Sequence, residues 1–283
     1  MTFTASFLSP DIVNLFALLA VVFIGLPHGA MDGALAVHFG WLGRPYKAAL
    51  FLLSYVGLAA LVVVAWALAP VFSFIGFLAI SAYHFGRGDA TTIIPGRHVV
   101  ESMARGGLVI AGISQFHRAE VNEVFLTVVG ADTTWIWLFL DGLTVLTVGC
   151  IVEALVFKER QKRQRFALEI GGLSLLFFAV PPLAGFAVYF CLVHSLRHFA
   201  SMRSILQSTV SNLRITQTTV VFSLLTWAVG LLVLAQQSAS IGVEPALLKV
   251  VFIGLAALTV PHMLLVDGIV AKTSPQRRSV VRG

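Results

Sequence analysis

The stretch AGFAVYFCLVHSLRHFASM, residues 184–202, decides how the chain is read. It is apolar over nearly the length of one bilayer crossing, which takes about 20 residues, yet it carries two histidines one helical turn apart, His194 and His198. An imidazole in lipid is costly unless something binds it, so ionisable groups inside apolar spans mark function. Working outward, His28, His84 and His262 lie inside other apolar runs of the same chain.

The composition agrees with a membrane setting. Of 283 residues, 58% are hydrophobic and only 11% charged, outside the range of ordinary soluble domains. The mean hydropathy is +0.92. Apolar segments run over about 11–39, 47–69, 71–86, 100–116, 134–157, 166–181, 184–203, 215–236 and 249–270. The expected fold is therefore all-α, a polytopic transmembrane bundle of eight or nine helices forming one domain over 1–283. The span at 100–116 is weakened by Glu101 and Arg105, and Pro181-Pro182 fits a tight connection or a bend, since neither residue donates to a helix ladder. The N-terminus lacks the charged start of a cleaved signal and is expected to be retained.

The net charge of +6 comes mostly from residues between or after spans, such as KERQKRQR at 158–165 and Lys272, Arg277, Arg278 and Arg282. These read as topology signals, not as a nucleic-acid patch. With nine spans, the basic connections near 44–47, 87–99, 158–165 and 203–214 share one side with the C-terminus, and the positive-inside rule makes that side cytoplasmic. The opposite side receives the mainly acidic set Arg118, Glu120, Glu123, Asp132 and Glu244. The same topology brings all five intramembrane histidines to similar depth on the inner half. Cys150 and Cys191 sit in apolar runs and define no disulfide framework.

Residues four apart on a helix share one face, so His194 and His198 can offer two nitrogens to one metal ion. His28 and His84 at matching depth complete four neutral ligands, a set suited to Fe, Cu or Zn with positions left open. Asp32, one turn after His28, is placed to accept a ligand's free ring N–H, and Asp267 after His262 reads the same way. His262 is read as an outer partner of the site. Gly25, Gly29 and Gly33 fit close helix contact, and Pro27 and Pro261 disturb the backbone just before a histidine. The aromatic residues Tyr83, Phe85, Tyr189, Phe190 and Phe199 flank the histidines and are candidates to line an apolar pocket. Arg197 is expected to meet lipid headgroups.

The segments GLPHGAMDGAL (25–35), AYHFG (82–86), YFCLVHSLRHF (189–199) and VFIGLAALTVPHMLLVD (251–267) resemble the Brp/Blh-type β-carotene 15,15′-dioxygenases. The resemblance runs in order from the first span to the last. It implies an inner-membrane enzyme using Fe(2+) and O2 to split the central double bond of β-carotene into two molecules of all-trans-retinal, which pass to a rhodopsin-type protein. It also implies iron ligands at His28, His84, His194 and His198, the four that depth and spacing select. Two rivals are a di-iron membrane desaturase or hydroxylase, which would want about eight clustered histidines with adjacent pairs where this chain has 8 in total and no adjacent pair, and a carotenoid or retinal carrier with a structural metal.

Overall fold

The computed structural model describes residues 10–92 and 94–270, which form ten helices and no strand. The early N-terminal residues and the basic C-terminal residues Lys272, Arg277, Arg278 and Arg282 lie outside the described residues. In chain order the helices are α1 (10–38), α2 (Pro45–Leu68), α3 (Pro70–Asp89), α4 (95–116), α5 (Arg118–Val129), α6 (Thr134–Phe157), α7 (Arg160–Ala179), α8 (Pro182–Leu206), α9 (Asn212–Ile241) and α10 (Val243–Val270). Helices α2, α3, α4 and α8 open on a proline at the first turn, where a missing N–H costs no intrahelical bond. Pro181 is extended at the α7–α8 junction, so the proline pair separates two helices. The chain turns between α9 and α10 at Gly242, whose φ of +85° suits glycine.

Each of the nine expected spans coincides with a helix. The helix not anticipated is α5, only 12 residues long and too short to cross a bilayer. Six helices, α1, α2, α6, α8, α9 and α10, are long and apolar enough to span by length and composition. Helices α3, α4 and α7 carry more charge, including Arg87, Asp89, Glu101, Arg105 and the KERQKRQR run. Helices α2 and α9 bury almost none of their side chains within the protein, with Leu53 71% and Leu232 67% exposed. Those faces suit lipid.

The charges of α4 are buried because they are paired. Glu101 is 1% exposed and accepts from Arg105 Nε at 3.0 Å and Lys158 Nζ at 2.7 Å. Arg105 also binds Glu169 on α7, and Arg197 lies 3.1 Å from Asp89 Oδ1 and 4.0 Å from Glu169. Arg197 therefore joins a network that links α3, α4, α7 and α8 with Lys158 just past the end of α6, while 45% of its side chain stays exposed. A charge between helices is tolerable when its partner is another helix's charge, a relation that the spacing along one segment does not reveal.

Helices α3 and α4 cross with their backbones in contact. A Cβ on Gly86 would fall 1.8 Å from the Ser102 carbonyl oxygen, and one on Gly106 would fall 1.7 Å from that of Ala82. Gly107 in turn faces Thr147 Oγ1 of α6 at 2.0 Å. Glycine here is required by proximity, as in other membrane helix pairs. Of the glycines in α1, Gly25 and Gly33 meet the rings of Phe190 and Phe222, but Gly29 has nothing within 4 Å and lines a cavity instead.

Two apolar cores are stacked along the bundle. The larger includes Val21 of α1, Tyr189 to Cys191 of α8 and Leu255 of α10, all preceding a histidine. The smaller includes Met31 and Leu35 of α1, Met202 and Leu206 of α8 and Leu265 of α10, all following one. The histidines mark the boundary, so α1, α8 and α10 pass through it in the same direction.

Candidate metal centre

Five imidazoles from four helices converge at that boundary. Ring centroids of His28 lie 5.2 Å from His194, 5.2 Å from His198 and 5.5 Å from His262. His84 lies 5.1 Å from His194 and 5.2 Å from His262, and His198 lies 5.0 Å from His262. All five are 9% exposed or less. His28, His84 and His194 each place a ring nitrogen within 4.8 Å of the others, a buried group able to hold a metal ion.

The backbone departs from regular α-helix beside three of these rings. Val21–Gly25 is a π-turn followed by a 3-10 segment, Leu26–Met31, that contains Pro27 and His28. Tyr189–His194 is a second π-turn, and a third, Leu264–Val270, begins two residues after His262. Such turns loosen the i→i−4 ladder and recur at functional sites. In α1 the effect is direct, because the Gly25 carbonyl oxygen lies 2.5 Å from His28 Nδ1. Ser195 Oγ is 3.2 Å from the same nitrogen.

The carboxylates serve the opposite histidines from those expected. Asp32 of α1 binds His262 Nδ1 of α10 at 2.9 Å through Oδ1 and 3.1 Å through Oδ2, and Tyr55 donates to its Oδ2 at 2.9 Å. Asp267 of α10 lies 3.1 Å from His84 Nδ1 of α3 and 3.0 Å from Arg87 Nε. Each aspartate thus crosses the bundle, whereas one turn of sequence separation had suggested its own neighbour. His262 and His84 share one pattern: a carboxylate on Nδ1 and a buried Nε2 with no hydrogen-bond partner. His194 and His198 also leave Nε2 buried and unpartnered. Four orphan nitrogens in one place are a set of donors for a metal, with the carboxylates fixing which nitrogen is free.

The aromatic residues divide. Phe85 meets the His194 ring edge-on at 4.7 Å, and Phe190 stacks on it at 5.9 Å and touches His28 at 5.1 Å. Tyr189 sits 6.4 Å from His194 and donates to Asp89 Oδ2 at 2.8 Å. Tyr83 instead accepts from Arg87 at 2.5 Å, and Phe199 packs against the smaller core, so neither reaches the rings. Residues the sequence reading passed over are Tyr55, Arg87 and Ser195, together with Phe77, Phe186, Phe222 and Trp227 along the cavity. A polar Tyr55 amid LLSYVGL was the one visible signal.

Three cavities surround the centre. A cleft is lined by His28, His84, His262 and mainly aromatic and aliphatic side chains. A second is almost wholly apolar, and Phe77, Ser81, Phe85, Phe186 and Leu255 wall both. A third, on the polar side, reaches His84, His194 and His198.

Together these features define a polytopic helical membrane protein with a buried histidine centre of metal-binding type, open to an apolar cleft. The β-carotene 15,15′-dioxygenase family matches residues 19–269, a range holding all five histidines, and the chain belongs to that enzyme family. It is 34% identical over 263 residues to the beta-carotene 15,15′-dioxygenase of uncultured marine bacterium 66A03, covering 90% of this chain and 94% of that one. It is 30% identical over 213 residues to the probable beta-carotene 15,15′-dioxygenase Blh of Halobacterium salinarum, covering 64% of this chain and 59% of that one. No solved structure matches.

The Asp32 contact carries an expected outcome. Asp32→Ala should lower metal affinity about 10- to 100-fold, the usual effect of removing a ligand's carboxylate partner. Isothermal titration of ferrous iron into the apo protein measures it. An unchanged affinity would show that the His262 orientation does not matter to binding.

Proposed function

We propose that this protein cleaves the central 15,15′ double bond of β-carotene with O2 inside the membrane, giving two molecules of all-trans-retinal. The observation that carries the reading is the cluster of unpartnered imidazole nitrogens, with His84 and His262 of that cluster at the wall of an aromatic cleft. His28, His84, His194 and His198 hold ferrous iron, with His262 as a fifth ring at the same centre. When bound, ferrous iron supplies the dioxygen chemistry that amino-acid side chains lack. The two aldehydes together differ from the carotene by one O2, so atoms balance with no further oxidant.

The chain's own residues bind and orient. A polyene dissolved in lipid reaches the cleft without crossing water, and its flat chain suits the rings of Phe77, Phe85, Phe186 and Phe190. The two adjoining apolar cavities offer length on either side of the Phe85 and Phe186 wall, which fixes which double bond lies against the histidines. Gly25, Ser195, Asp32 and Asp267 hold the ring nitrogens in place. The apolar lining keeps water from the cleft. The basic connections face the cytoplasm of an inner-membrane protein, and retinal leaves through the bilayer toward a rhodopsin-type consumer.

The test is to supply β-carotene to aerobic membranes containing the protein and quantify products by chromatography. Two retinal molecules per carotene consumed are expected. Unequal apocarotenals would refute central cleavage, and an absence of product would favour a carrier.

A further inference from the structure

The third cavity does a job that the first two cannot. It is bounded by the ends of α3, α8 and α10, has a volume of about 340 Å³ and carries Arg87, Asp89, Arg197, Ser201, Ser204 and Asp267 on its walls. Two of the metal-type rings, His194 and His198, line this cavity and not the apolar cleft, while His84 lines both. Each of the three has an Nε2 without a partner, and each is more than nine-tenths buried. Gly88 faces the His194 ring on this side, where a Cβ would pack against His194 Cε1 at 3.7 Å and glycine places no side chain. The wall charges are already matched, Arg87 with Asp267 and Arg197 with Asp89, so no uncompensated positive charge repels a cation.

A divalent ion cannot use the substrate's route. Stripping its water against phenylalanine rings would cost many kcal/mol, whereas hydroxyls, carboxylates and finally imidazoles can replace that water in steps. We propose that the polar vestibule between α3, α8 and α10 is the passage by which a hydrated divalent metal ion reaches and leaves the histidine centre, separate from the apolar cleft that takes the polyene. The inference rests on the metal-centre reading above. It gives the two sides of the centre different traffic: lipid-soluble substrate through one, water-soluble metal through the other.

Ser201 is exposed at the vestibule and touches none of the five rings, so a thiol placed there can be blocked after folding. Purified Ser201→Cys is reacted with a bulky hydrophilic methanethiosulfonate, and Ser240→Cys, exposed at the far end of α9, is the labelled control. Apo samples receive ferrous iron anaerobically, loaded samples receive a hydrophilic chelator, and bound iron is measured against time. Labelled Ser201→Cys should load and release iron at least about tenfold more slowly than its unlabelled form, while the control is unaffected by label. Exchange at the unlabelled rate would overturn the passage and leave the metal centre standing. Failure of every sample, labelled or not, to take up ferrous iron would overturn the centre and the passage with it.

Discussion

Replacing His194 with alanine is expected to bring β-carotene cleavage to background and to remove most bound iron. The ring sits at the crossing point of the centre, 5.2 Å from His28 and 5.1 Å from His84, with Phe85 and Phe190 packed on its edge and face. Three of the other imidazoles, His28, His262 and His84, are held by Gly25, Asp32 and Asp267 and are not free to swing into its place. A bound ion contributes several kcal/mol to such reactions, so the loss in turnover should be about 10³-fold or more. The same result is expected for His28→Ala, His84→Ala and His198→Ala. Iron content and retinal formation are measured on the same preparations, after far-ultraviolet circular dichroism has shown the helices intact. Wild-type turnover in any of the four would remove that ring from the centre. His262→Ala is the informative fifth, since this histidine has the carboxylate partner and orphan nitrogen of a ligand.

The second large effect is one of assembly. Gly106→Val should abolish accumulation of folded protein in the membrane, with Gly86→Val behaving alike. Both positions lie where the α3 and α4 backbones touch, and the added atoms would enter carbonyl groups and not flexible side chains. Overpacking of a core by movable side chains costs about 1–3 kcal/mol, and a backbone clash at 1.7 Å exceeds that because whole helices must separate. Separation would also carry His84 away from the other rings and expose the Glu101–Arg105 pair on α4. Gly57→Val is the contrast. It lies on α2 with nothing within 4 Å of its missing Cβ, and should leave yield and melting temperature near wild type, measured by size-exclusion chromatography in detergent.

The helical class and the membership of the histidine cluster were legible because both depend on local pattern. A span announces itself by length and apolarity, and a histidine inside one is conspicuous against leucine and phenylalanine. The depth argument worked for the same reason: alternating crossings fix which ends of the helices meet. What stayed hidden was which individual side chains pair across the bundle. Asp32 is four residues from His28 yet bonds to His262, 230 residues away, because the 3-10 turn directs His28 to the Gly25 carbonyl. Nothing in the sequence around Arg197 showed that Asp89 and Glu169 lie beside it. Gly106 and Gly107 gave no sign that one meets α3 and the other α6. The short α5 was missed because a 12-residue segment has no spanning signature.

The exchange of carboxylates between the chain's two ends has a consequence for biosynthesis. Asp32 is made early and its histidine near the finish; His84 is made early and waits for Asp267. A nascent chain with only its leading helices inserted has the Gly25 contact of His28 but no carboxylate to orient His84. The carboxylate contacts of His84 and His262 therefore close only when α10, the last of the described helices, packs against α1 and α3.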